Sequence, residues 1–305
     1  MHVWLIPMRR LRFAPLALLV LAGAAGAASS QELPDLVSRD VLRVCGDPAN
    51  MPFSNQRGEG FENRIAAIVA DELKVGLRFY WLPQGPGFVR NTLGLGLCDL
   101  IVGYASGADP VQNTNPYYRS AFVLVVKRGG ALDGVERLDD PRLKGRRLGV
   151  VAGTPPADHL LQHGLLPGAK SYSLLVDRRF DSPAEAMIAD LAKGEIDGAL
   201  LWGPIGGFFA RNAPEPLSVT PLLKERERPA LTYRITMGVR HNEPDWKRRL
   251  NQVLRRRQDD INRVLLDYGV PLLDEDDRRI TADAGAAAAT TGATPATVDA
   301  TPPTR

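Results

Sequence analysis

VLRVCGD (41–47), GFENRIAAIVADELKV (60–75), LRFYWLP (77–83), GFVRNTLGLGL (87–97) and CDLIVGYA (98–105) follow one another with short spacers. The first is an apolar run halted by Gly46, Asp47 and Pro48, which reads as a buried strand running into a loop. The second places Phe61, Ile65, Ile68, Val69 and Leu73 at helical spacing. The third is again a strand, the fourth a short helix and the fifth a third strand. Strand, helix, strand, helix, strand is the order of a parallel α/β sheet covered on both faces.

Beyond this unit SAFVLVVKRG (120–129) reads as a strand that leads elsewhere, and RRLGVVAGTPPADHLLQHGL (146–165) restarts the same order. SPAEAMIADLAKGEIDGALLWGP (182–204) supplies a helix and a strand ending at Trp202, and LTYRITMGVR (231–240) is a strand that carries the chain back. The fold class expected is therefore α/β with two lobes, each a mostly parallel sheet covered by helices, joined by two crossing strands. EPDWKRRLNQVLRRRQDDINRVLLDYG (243–269) reads as one long helix with an apolar stripe through Trp246, Leu250, Val253, Leu254, Ile261, Val264, Leu265 and Tyr268. Its arginine-rich face reads as a solvated helix face, with docking of an acidic partner as the alternative.

The two ends read differently from the middle. Arg9, Arg10 and Arg12 precede FAPLALLVLAGAAGA (13–27), the pattern of a secretory signal peptide cleaved near Ala27 or Ala28, so residues 1–28 are assigned to it. The apolar run is shorter than the roughly 20 residues a membrane helix needs. No membrane span is expected after cleavage, and the location expected is periplasmic. Taking those three arginines from the 38 basic residues leaves 35 against 35 acidic ones, a balance that argues against nucleic acid as a partner. Residues 281–305 are Ala/Thr/Pro-rich without an aromatic and read as a disordered tail. Between the ends lie about 240 residues, enough for two lobes of ordinary size. The boundaries expected are 38–125 with 236–275 for lobe 1 and 126–235 for lobe 2. Cys45 and Cys98 face an oxidising compartment, which permits a disulfide. The stagger of Cys45 closing one strand and Cys98 opening another could hold their Cα atoms beyond the roughly 7 Å limit for bridging, and both outcomes stay open.

These pieces resemble the extracytoplasmic solute-binding proteins of the amino-acid-binding type, through LRVCGDPANMPFSN, GEGFENRIAAIVADEL, LCDLIVG, NPYYRS, GVVAGTPPADHLL and LAKGEIDGALLW in that order. Within that superfamily CGDPANMPFSNQRGEGFENRIA, PGFVRNTL and NPYYRSAFVLVVKR resemble the branch associated with quinoprotein dehydrogenases, of the MoxJ/XoxJ type, and the likeness runs from about Val41 to Leu273. The resemblance implies a periplasmic homologue of a substrate-binding protein, encoded beside alcohol or methanol dehydrogenases that use pyrroloquinoline quinone. It also implies an arginine before Pro-Tyr-Tyr for a ligand carboxylate and an acid after the IDGALL strand for a ligand ammonium. This chain has no arginine from Ser106 to Asn115, and Trp202-Gly203-Pro204 stands where the acid is expected. An amino-acid ligand is not expected.

Ligands of such folds meet loops at the carboxyl ends of the strands. Those loops carry Asp47, Phe53, Tyr104, Asp109, Thr154 and Trp202, with Tyr117 or Tyr118 beside them. Each has a plainer reading. Asp47 before Pro48 is a turn former. Phe53 and Trp202 could fill the hinge side of the cleft, and one of the two tyrosines belongs to the core. Thr154 could open an anion site at a helix start, but Pro155 and Pro156 remove two of its N–H donors. Glu59 and Glu62 read as capping and dipole groups. His159 and His163, one helical turn apart, read as surface residues, so no metal is expected; neither is a cofactor. No nucleophile elbow, cysteine–histidine pair or acid–base pair in the cleft loops is visible, so an enzyme such as a dehydratase is not expected. The function expected is a non-enzymatic accessory protein whose partner is a periplasmic quinoprotein dehydrogenase. The alternative is the receptor of an ABC importer, delivering a small molecule other than an amino acid to its permease.

Overall fold

The computed structural model describes residues 37–281. The expected signal peptide, and the tail from residue 282 on, lie outside these residues. Lobe 1 begins with β1 (Val41–Gly46), followed by a two-residue ladder of β2 (Ala49–Asn50) and β3 (Ser54–Asn55). Helix α1 (Phe61–Leu73) buries Phe61, Ile65, Ala66, Val69 and Ala70, the face expected from their spacing. It starts at Gly60 because the loop lies on the helix end there: a Cβ at Gly60 would sit 2.1 Å from the Phe53 carbonyl oxygen. β4 (Gly76–Trp81) pairs in parallel with one edge of β1, in register from Val41 with Gly76 to Gly46 with Trp81. After the short helix α2 (Phe88–Asn91), β5 (Leu100–Ala105) pairs in parallel with the other edge.

The chain then passes β6 (Gln112–Asn113) and enters β7 (Tyr118–Lys127). The second unit holds β8 (Leu148–Val151), α3 (Pro155–Gln162), β9 (Lys170–Tyr172) and α4 (Pro183–Lys193). It continues with β10 (Gly198–Trp202), α5 (Gly203–Arg211) and β11 (Leu217–Pro221). β12 (Thr232–Val239) returns to lobe 1, where α6 (Pro244–Arg256) and α7 (Gln258–Asp267) cover the sheet. The strand order is β4-β1-β5-β12-β7-β10-β8-β9. Three parallel strands lie on each side, and β7 and β12 join them as an antiparallel pair. β7 meets β12 from Tyr118 to Ala121 and β10 from Phe122 to Val125. Its partners thus change before residue 125; the lobe boundaries 38–125 with 236–275 and 126–235 are our proposal.

The run AFVLVV is apolar throughout because both faces of its sheet are covered. Leu124 and Val126 join Leu148, Val150, Leu160 and Leu200 on one face, while Val123 and Val125 join Met187, Leu191, Ala199 and Leu201 on the other. In lobe 1, Leu42 and Val44 pack with α1, α6 and α7, whereas Cys45, Phe88, Leu93, Cys98 and Ile101 fill the opposite face.

One expectation needs correction, and one open question is answered. The long helix expected over 243–269 is two, broken at Arg257, whose φ is −110° and ψ 18°. Arg257 bonds Asp260 at 2.6 Å and Asp71 of α1 at 2.7 Å, and the adjoining Gln258 donates to the Tyr117 carbonyl at 2.8 Å. The break thus sits where the chain is tied down to α1 and β7. The stagger argument against a disulfide also fails: Cys45 and Cys98 are bridged, with Cα atoms 5.5 Å apart. Cys98 precedes the first residue of β5, so strand geometry does not fix its distance from Cys45.

Candidate functional site

Between the carboxyl ends of the two sets of parallel strands lies a cavity of about 570 Å³. Lobe 1 contributes Asn50, Phe53, Glu62, Gln84 and Tyr104, and lobe 2 contributes Leu174, Arg178, Asp181, Glu185 and Trp202. Phe53, Tyr104 and Trp202 were anticipated from their strand ends. Trp202 also packs on the crossing strands, its ring 5.3 Å from Phe122 and 5.8 Å from Tyr233, so the hinge and the cleft wall share it.

The other anticipated residues serve the frame. Asp47 lies behind the cavity wall, where Oδ1 accepts the Ala49 N–H at 2.9 Å and Oδ2 the Gln84 N–H at 2.7 Å. It is the turn former, and it holds two cleft loops together. Tyr117 donates its hydroxyl to the Val102 carbonyl at 3.0 Å within the core, and Tyr118 is the one of the pair that lines the cavity. The Thr154 hydroxyl donates to the Val151 carbonyl at 2.6 Å, closing its own turn. Asp109 presents its backbone carbonyl to the Tyr104 hydroxyl at 2.8 Å from an exposed loop. That loop is bound to lobe 1 by Asn113, which accepts from Gly107 N–H and donates to Thr236.

Two charged groups were missed. Glu62, expected to serve the helix dipole, is buried with its carboxyl on the cavity floor. Burial, and next the negative charge of Asp47, push its pKa from 4.5 up to about 8, so it is a neutral acid at pH 7 and can donate a hydrogen bond. Gly103 makes the room: a Cβ there would sit 2.0 Å from Glu62 Oε1. Arg178 reaches across from the loop between β9 and α4, with Nη1 3.4 Å from Asp47 Oδ2. The cleft therefore holds ionisable groups, although no arginine stands in the stretch from Ser106 to Asn115. After the IDGALL strand, Trp202 occupies the first position, and Gly203 has no room for a side chain, since a Cβ there would lie 2.4 Å from the Ala121 carbonyl oxygen.

No family model matches the chain. It is 30% identical over 268 residues to Protein MoxJ of Paracoccus denitrificans, covering 82% of this chain and 96% of that one. The chain belongs to the MoxJ/XoxJ type. The MoxJ of Methylorubrum extorquens is also 30% identical, over 76% of this chain and 82% of its own. Among solved structures, the periplasmic binding protein XoxJ of Methylobacterium extorquens AM1 is 53% identical, with a TM-score of 0.67 over 77% of this chain and all of that one. An ancestral cationic amino acid solute-binding protein shares the fold at 21% identity and a TM-score of 0.59, over 77% of this chain and 97% of that one. The chain thus shares the fold of the two-lobed solute-binding proteins that the motifs indicated. Among the described residues, no helix is long and apolar enough to cross a membrane.

Proposed function

We propose that the chain is a non-enzymatic periplasmic accessory protein of a quinoprotein methanol dehydrogenase, which it binds at the mouth of its cleft. The observation that carries this reading is membership of the MoxJ/XoxJ type in a chain that has Trp202-Gly203-Pro204, and no acid, after the IDGALL strand where an amino-acid receptor is expected to keep one. The rim of the cleft supports it. The loop between β9 and α4 exposes Leu175 at 72% and Phe180 at 80% beside the Arg179–Asp177 ion pair, an apolar edge suited to a protein surface. Mature protein immobilised on resin is expected to retain the methanol dehydrogenase of the same organism, and Phe180→Asp is expected to retain less. No retention by the wild type, together with unchanged dehydrogenase activity in a strain lacking this gene, would reject the proposal.

The cavity itself favours a second reading. Its volume is in the range of small-molecule sites, and Glu62, Gln84, Asn50 and Arg178 offer it polar contacts. In that reading the chain is the receptor of an ABC importer for a small polar solute. A thermal-shift panel decides between them, because a bound solute raises the unfolding temperature by mass action.

A further inference from the structure

His159 and His163 lie one turn apart on α3, with ring centroids 6.5 Å apart, and they are not the surface residues the sequence suggests. The segment leading from β11 into β12 folds over that face of the helix and delivers Glu225 and Glu227. One ligand atom from each of these four residues lies within 4.8 Å of the others. The side chains of His159 and Glu225 are fully buried, and that of His163 is 16% exposed.

The hydrogen bonds around the cluster fix which atoms face its centre. His159 Nε2 is 2.7 Å from the Pro229 carbonyl oxygen, which can only accept, so Nε2 carries the proton and Nδ1 of the neutral ring is a lone pair. Glu225 Oε1 accepts the Leu138 N–H at 2.6 Å, which aims Oε2 inward. Nδ1 of His159 then stands 3.9 Å from Glu225 Oε2, and Nε2 of His163 stands 3.4 Å from the same oxygen. All three atoms are buried without a hydrogen-bond partner. His159 Nδ1 and Glu225 Oε2 are acceptors that face one another unsatisfied, a costly arrangement, and a shared cation, with Nε2 of His163 as a further ligand in its Nδ1–H tautomer, removes the cost. In a tetrahedral zinc site with bonds of about 2.0–2.1 Å, neighbouring ligand atoms stand roughly 3.4 Å apart, a separation that His163–Glu225 already has and to which the others, within 4.8 Å, would contract on binding.

We propose that these residues form a zinc site, with His159 Nδ1, His163 Nε2 and Glu225 as buried ligands and Glu227 closing it from the exposed side. Two imidazoles with carboxylates suit a borderline cation such as Zn²⁺ rather than Ca²⁺ or Mg²⁺, which take oxygen ligands. The Pro229 carbonyl and the Leu138 N–H are the outer partners that orient the ligands. The ion fastens α3 to the segment that feeds the crossing strand β12, so its role is structural and lies away from the cleft. The site does not depend on the dehydrogenase reading.

The test uses the mature chain without a histidine tag, stripped with EDTA and titrated with Zn²⁺ in a calorimeter. Uptake saturating at one equivalent is expected, with a rise in unfolding temperature that EDTA reverses. His163→Ala is expected to abolish the uptake. Glu227→Gln, which alters only an exposed group and serves if His163→Ala fails to fold, is expected to weaken it by at least the roughly 10-fold that loss of an outer partner costs. Absence of saturable uptake by the wild type, or uptake unchanged in either variant, overturns the proposal.

Discussion

At the scale of single residues, the behaviour of the cleft rests on Glu62. The folded chain holds this carboxyl's proton up to about pH 8, whereas the ordinary value is 4.5. Its stabilising contribution is therefore fully present below pH 4.5 and is lost as pH rises towards 8, at about 1.4 kcal/mol per pH unit within that window. Urea midpoints of the wild type and Glu62→Gln should diverge from pH 4.5 to 8, the variant becoming relatively more stable; a gap independent of pH would contradict the assignment. Asp99 tests the lobe 1 frame. It is fully buried, bonded by Arg43 at 2.6 and 2.8 Å and by Arg240 at 2.8 Å. Asp99→Asn removes the buried charge that the two guanidinium groups share, while Arg240 keeps Glu243. Denaturant unfolding should show a loss at the lower end of the roughly 3–5 kcal/mol range, because Arg43 still reaches solvent. Asp47, Phe53 and Trp202 could be placed from sequence because strand ends declare themselves. Glu62 could not, because Gly103, the residue that makes room for its carboxyl, belongs to a different strand far along the chain.

At the scale of elements, the main strands and helices of both lobes were legible because apolar runs and helical spacing report burial directly, whereas β9, α5 and β11 were not read. What was not legible depended on partners distant in sequence. The division of the last helix follows contacts of Arg257 and Gln258 with α1 and β7. The burial of His159 follows from the segment after β11, which no local pattern brings to α3. The Cys45–Cys98 bridge turned on where β5 begins, and element boundaries are the least certain part of a sequence reading. The bridge closes a loop with a sequence separation of 53. Replacing both cysteines by alanine should cost about 2–4 kcal/mol in denaturant unfolding, and an unchanged midpoint would deny the bridge a structural role. Helix α5 approaches β7 without room for a side chain at Gly203, so Gly203→Ala should lower stability by about 1–3 kcal/mol in the same assay.

At the scale of the molecule, the two sets of parallel strands are joined through the ribbon of β7 and β12, and the Arg178–Asp47 contact spans the cleft beside it. This is the frame of a solute-binding protein, and it was legible in the order of its motifs. Its use was legible only in part. The resemblance implied a cleft without the ion-pairing groups of an amino-acid receptor, yet the cavity holds Glu62 and Arg178, supplied by α1 and by the loop before α4. A cleft that is altered rather than emptied is compatible with a partner seated at its mouth, where Leu175 and Phe180 stand exposed. The most direct measurement is the binding of purified methanol dehydrogenase from the same organism to the immobilised mature chain, followed by interferometry with wild type and Phe180→Asp in parallel. The account predicts saturable binding that Phe180→Asp weakens; it is contradicted if neither protein binds the dehydrogenase while the cleft takes up a free amino acid.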